Sequence, residues 1–147
     1  MAHAFTIRPV EAIGPELRHL DSCASNEGFQ FMGRLIAAWE DGSNRFDKPD
    51  EAYFSVWTKK QMVAAGGLNR DPYCAEPKVG RVRNVYVCPS SRRSGAGTAL
   101  MTAIVAKARG TFSLLRLRTT TARGAAFYEA LGFERCDAAD ASHVLRL

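Results

Sequence analysis

Acidic side chains are absent between Glu76 and Glu129, a stretch that carries ten lysines and arginines. A run this one-sided points to a polyanionic partner, either nucleic acid or a phosphate-bearing cosubstrate, or else to a solvated basic surface. Other absences narrow the choice. No zinc-finger, RNA-recognition or helix-turn-helix pattern is present, so no nucleic-acid partner is predicted. No apolar run is long enough for a signal peptide or a bilayer span, which predicts a cytoplasmic protein with no membrane partner. Cys23, Cys74, Cys88 and Cys136 form no Cys-x-x-Cys pair, and His3, His19 and His143 show no ligand spacing, so no metal is predicted. Repeats, low-complexity tracts and long linkers are also missing. One domain spanning 1–147 is expected.

Within that domain the hydrophobic periodicity is clear. A short strand over 5–10 precedes a helix opened by Pro15 and a second helix carrying Met32, Leu35, Ile36 and Trp39. Strands are predicted over 52–58, 61–68 and 79–88, with a loop over 69–77. A helix runs over 98–109, a strand over 112–119, and a helix over 122–131 ends at Gly132. Closing strands cover 133–136 and 143–147. The order β-α-α-β-β-β-α-β-α-β-β predicts an α+β fold with a mixed, partly parallel central sheet flanked by helices.

The segment Arg92-Arg93-Ser94-Gly95-Ala96-Gly97-Thr98 lies between a strand and a helix. Glycines allow tight turning and close approach, and the first amides of a helix lack internal partners. The helix dipole and the two guanidinium groups add positive potential, which suits a pyrophosphate. Gly97 is not followed by Lys, which argues against a nucleoside-triphosphate loop, and Leu100 replaces the third glycine of a dinucleotide fingerprint.

Val85-Tyr86-Val87-Cys88-Pro89 followed by Arg92-x-x-Gly95-x-Gly97 resembles the acetyl-CoA signature of the GNAT superfamily of acyl-CoA-dependent N-acyltransferases. Phe127-Tyr128-Glu129-Ala130-Leu131-Gly132-Phe133 is similar to a second motif of that family. The resemblance implies an enzyme that moves an acetyl group from acetyl-CoA, as cosubstrate, directly to a primary amine of a small molecule or peptide. It implies that main-chain groups of Val85 and Val87 pair with the pantetheine arm and that Arg92, Arg93, Ser94, Gly95, Ala96, Gly97 and Thr98 surround the pyrophosphate. Tyr128 becomes the general acid for the departing thiolate. Thr121 stands where the family often has a pantetheine-binding Asn. Arg81 stands where it often has a Glu base, and arginine accepts no proton near neutrality. The base therefore stays open among Glu27, Asp71, Glu76 and His143. Trp39, Trp57, Phe29 and Phe31 are either pocket or core. A noncatalytic acyl-CoA-binding or regulatory module is the alternative function, and a homodimer is left open.

Overall fold

The computed structural model describes residues 4–147, so His3 lies outside the described part. The order expected from the sequence is the order found: β1 (Thr6–Pro9), α1 (Pro15–Asn26), α2 (Phe31–Asp41), β2 (Ala52–Thr58), β3 (Gln61–Arg70), β4 (Val79–Val87), α3 (Ala96–Arg109), β5 (Leu114–Leu117), α4 (Ala122–Ala130), β6 (Glu134–Arg135) and β7 (His143–Arg146). A single turn of 3-10 helix, Pro89–Ser91, follows β4.

All the strands join one seven-stranded sheet in the order β1-β2-β3-β4-β5-β7-β6. Only β4 and β5 are parallel, and their register holds for three pairs, Val79 with Leu114, Gly80 with Leu115 and Arg81 with Arg116. Beyond Arg81, β4 runs on to Val87 without β5. The sheet is therefore split on one side of β4.

Each face of the sheet has its own apolar layer. On one, Leu100, Met101 and Ile104 of α3 pack with Val82, Leu115, Leu117 and Tyr128. On the other, Leu17 and Leu20 of α1 and Met32, Leu35 and Trp39 of α2 pack with Tyr53, Ala65 and Tyr86. Burying a side chain of this size contributes about 1.5–3 kcal/mol, so both helical layers are held chiefly by these stripes. Trp39 stacks on Phe46 with ring centroids 6.1 Å apart and belongs to the buried cluster on this face.

Element ends depart from expectation where propensity is weak. Helix α3 begins at Ala96, two residues before the sequence suggests, with Gly95 as its N-cap. β5 is shorter at both ends: Phe112 bonds back to Ala108, closing the helix, and Thr119 bonds to the Ser142 side chain. A register shift between Ala65 and Gly67 places Gly66 opposite both Asn84 and Val85. Asn84 takes φ 55° there, in the left-handed region that Asn tolerates. Its side chain donates to the Phe31 carbonyl at 3.1 Å, and its own carbonyl accepts from the Tyr53 hydroxyl at 2.8 Å.

Candidate active site

The bulge at Asn84 fixes which way the end of β4 faces. The Cys88 amide donates to the Val63 carbonyl at 2.9 Å, so residue 88 turns its main chain toward β3. Alternation then turns the main-chain groups of Val87 and Val85 toward the side that β5 has vacated. An extended ligand arm can add there as a strand does.

The split leads to the loop before α3. Arg93 has φ 63° and Gly95 φ 95°. A Cβ on Gly95 would meet only Phe5, at 3.6 Å, so glycine serves the backbone angle there. Gly97 has a different reason: a Cβ would sit 3.1 Å from the Phe127 ring and 3.5 Å from Val87 Cγ2. It lets α3 close against α4 and the end of β4. The first intrahelical bond runs from the Ala99 amide to the Gly95 carbonyl at 2.9 Å. The amides of Ala96, Gly97 and Thr98 precede it and have no partner along the helix. No side chain caps this end of α3. The Ser94 hydroxyl bonds the Ser91 carbonyl and braces the turn.

Arg92 is engaged elsewhere. Its Nη1 donates to Glu27 Oε1 at 2.7 Å and its Nη2 to Glu27 Oε2 at 2.6 Å. Its Nε reaches the Val87 carbonyl at 3.2 Å. The Tyr86 hydroxyl donates to Glu27 Oε2 at 2.5 Å, and Arg123 Nη2 lies 3.9 Å from Oε1. Arg92 first, then Tyr86, hold the Glu27 carboxyl at about 2, against an ordinary 4.5. A carboxyl so held is a poor proton acceptor near neutrality. The stabilisation it gives is fully present above about pH 4.5 and is lost as pH falls toward 2. Melting temperatures across that window should fall for the native protein and stay flatter for Glu27→Gln. Equal slopes for the two proteins would refute the assignment.

The other base candidates are also engaged, apart from Glu76. Asp71 is buried, with Oδ2 at 3.6 Å from Arg81 Nη1 and 3.1 Å from Arg116 Nη1. Arg81 Nη2 also donates to the Asp140 carbonyl at 2.7 Å, and Arg116 bonds the Asp140 carboxylate. Arg81 thus ties the connection between β6 and β7 onto β4. His143 is buried between Ser142 Oγ and Glu129 Oε2, each 2.8 Å away. Glu76 is exposed in the loop before β4, where its carbonyl accepts from the Val79 amide at 3.3 Å.

Tyr128 is buried on α4, with its ring 5.0 Å from Phe127 and 5.6 Å from Phe133, both edge-on. Burial pushes its pKa up. Thr121 caps α4, its Oγ1 accepting from the Gly124 amide at 3.0 Å. Its hydroxyl proton is left available as a donor. Phe29 and Phe31 form a half-buried aromatic run toward Tyr86, with centroids 5.7 and 6.2 Å apart along it. Trp57 lies under the Arg8 guanidinium, 4.6 Å from the ring centroid. Among the described residues, no group of three or more His, Cys, Asp or Glu is placed to hold a metal ion, and no helix is long and apolar enough to cross a membrane.

A family model described as "Acetyltransferase (GNAT) domain" matches residues 49–135, more than half of the chain. The chain belongs to the GNAT acetyltransferase family. It is 32% identical to a candidate acetyltransferase from Exiguobacterium sp. 255-15, over 97% of this chain and 93% of that one, with a TM-score of 0.86. The fold of this GNAT protein is also that of an acetyltransferase from Streptococcus agalactiae 2603 at 16% identity, covering 95% of each chain with a TM-score of 0.74. The ribosomal-protein-S18-alanine N-acetyltransferase of Escherichia coli shares it too, at 20% identity over 96% of this chain and 89% of that one, TM-score 0.67. No curated protein matches significantly.

Sequence reasoning missed both ion networks of this GNAT domain. Their partners are far apart in the chain: Glu27 and Arg92 are separated by 65 residues, Asp71 and Arg116 by 45. The signal was indirect. An acid-free run rich in arginine must draw acids from elsewhere if its guanidinium groups are buried.

Proposed function

We propose that residues 1–147 form one N-acetyltransferase domain that moves an acetyl group from acetyl-CoA directly to a primary amine of a small molecule or peptide. One observation carries the reading. The unpaired side of β4, with the main-chain groups of Val85 and Val87 turned into it, runs straight into the amides that open α3. A strand-like arm ending in phosphates fits that path.

In this reading the amides from Arg93 to Thr98 hold the pyrophosphate, with the Arg93 side chain adding charge. Arg92 acts as a strut, because its guanidinium is committed to Glu27 and Val87. Thr121 donates its remaining proton to the pantetheine arm. The thioester supplies an activated acyl carbon, and the amides of Val85 and Val87 are the donors available to its oxygen. The amine nitrogen bonds to that carbon while the carbon–sulfur bond breaks, and Tyr128 donates toward sulfur. The nitrogen gives up its proton to solvent, and the departing thiolate, hydrogen-bonded by the phenol, takes one up from solvent. Burial pushes the Cys88 thiol to about 11, so it is poorly suited to carry the acyl group in between, which favours direct transfer.

The experiment is a thermal melt with and without acetyl-CoA. A ligand that binds only the native state at a hundred times its dissociation constant adds about 2.7 kcal/mol, an easily read upward shift. Gly95→Val should abolish most of that shift, because valine is strained at φ 95°. No shift in the native protein would sink the reading. A shift without thiol release from any amine would favour the noncatalytic acyl-CoA-binding module.

A further inference from the structure

Arg81 on β4 and Arg116 on β5 are register partners, and both reach the same Asp71 oxygen, at 3.6 and 3.1 Å. Their side chains therefore share one face of the sheet. Side chains alternate along a strand, so Arg83, two residues further on in β4, projects to that same face, and Arg118 is the first residue after β5. The residues between confirm it, because Val82 and Leu117 both pack into the α3 layer on the opposite face. The bulge at Asn84 comes after Arg83 and does not disturb the count.

The two pairs differ in position and in partners. Arg81 and Arg116 close the last paired rung and are neutralised by Asp71 and Asp140. Arg83 and Arg118 stand on the two lips of the split, one on each side of the gap where β4 and β5 part. Neither side chain has an acidic partner or a hydrogen bond among the described residues, although Arg83 is half-buried. A guanidinium with no protein partner at a half-buried position is left free to bond a ligand. The amides that open α3 belong to the other layer, so the cosubstrate's phosphates have their own site.

We infer that Arg83 and Arg118 recognise an anionic group on the acceptor, so that the amine acetylated here carries a carboxylate or a phosphate. This rests on the transferase reading above. The pair flanks the side of the split away from α3, where an acceptor can reach a thioester lying between the strands. Guanidinium suits both anions, since its planar donors match paired oxygens. Arg123, 3.9 Å from Glu27 at the start of α4, adds positive potential near the same mouth.

Thiol release would be followed with matched acceptors at one pH: amino acids against their primary amides, and O-phosphoethanolamine against ethanolamine. The two arms separate carboxylate from phosphate. The anionic member of at least one arm should show a kcat/KM about tenfold or more higher than its neutral partner. Arg83→Gln and Arg118→Gln should each lower that value by about 10- to 100-fold, mainly through KM, as expected for loss of a charge-assisted bond. Rates with the neutral partner and the acetyl-CoA melting shift should stay nearly constant. If Arg83→Gln fails to fold, the exposed Arg118→Gln carries the test. Equal rates for both members of each arm, or a double variant that keeps the preference, would overturn this inference and leave the transferase reading standing. No thiol release from any amine by folded protein that acetyl-CoA stabilises would overturn both.

Discussion

Tyr128→Phe should lower kcat by about ten- to a thousand-fold, the range for loss of a general acid. The melting shift with acetyl-CoA should hardly change. Phenylalanine keeps the ring that packs between Phe127 and Phe133 and removes only the hydroxyl. Burial raises the phenol's pKa above its ordinary 10, so the group stays protonated throughout any practical assay. It should therefore contribute no inflection to the pH–rate profile. The same shift limits what it can do. Full transfer to a thiolate with a pKa near ~8.5 is uphill, so its main work is to hydrogen-bond the sulfur as negative charge develops. The check is a comparison of single-turnover and steady-state thiol release. A Phe variant that matches the native rate in the chemical step would assign the leaving-group proton to water.

The second large effect concerns stability. Asp71→Asn should destabilise the protein by about 3–5 kcal/mol, because it leaves the buried Arg81 guanidinium without an acidic partner and takes one of the two carboxylates from Arg116. For a chain of this size that is a fall in melting temperature of roughly 10 °C. Asp140→Asn should cost much less, since the Asp140 side chain is 34% exposed and water can replace it. Melting curves of the two variants at pH 7 decide the matter. A mild Asp71 variant would show that the buried pair relaxes or admits water.

Most of the fold could be read from the sequence because its elements bury one clean stripe each. Leu100, Met101, Ile104 and Val105 announce α3, and Leu115 alternating with Arg116 announces β5. The start of α3 was misplaced because Gly95-Ala96-Gly97 has too little helical propensity to mark its own boundary, whereas packing of Gly97 against Phe127 fixes it. Asn84 carried a faint signal for the bulge, since Asn enters the left-handed region more readily than most residues. The motif from Arg92 to Thr98 points to the loop proposed for the phosphates, but the motif does not say what each side chain does. Arg92 reads there as a phosphate ligand, yet the structure gives its guanidinium to Glu27. Charge along the chain was similarly blind. It shows ten basic residues without acids, while folding brings Asp71, Asp140 and Glu27 to four of them.

The three-rung seam between β4 and β5 has a mechanical consequence. A sheet that looks continuous is two plates, β1 to β4 and β5 to β7, joined at one end by a short hinge. Apolar side chains of α3 share one cluster with Val82 of the first plate and Leu115 and Leu117 of the second, and Arg81 and Arg116 rivet the joint beside Asp71. A wedge driven into the open end meets a structure already shaped to part there, so a ligand lying in the notch becomes a missing piece of the beam.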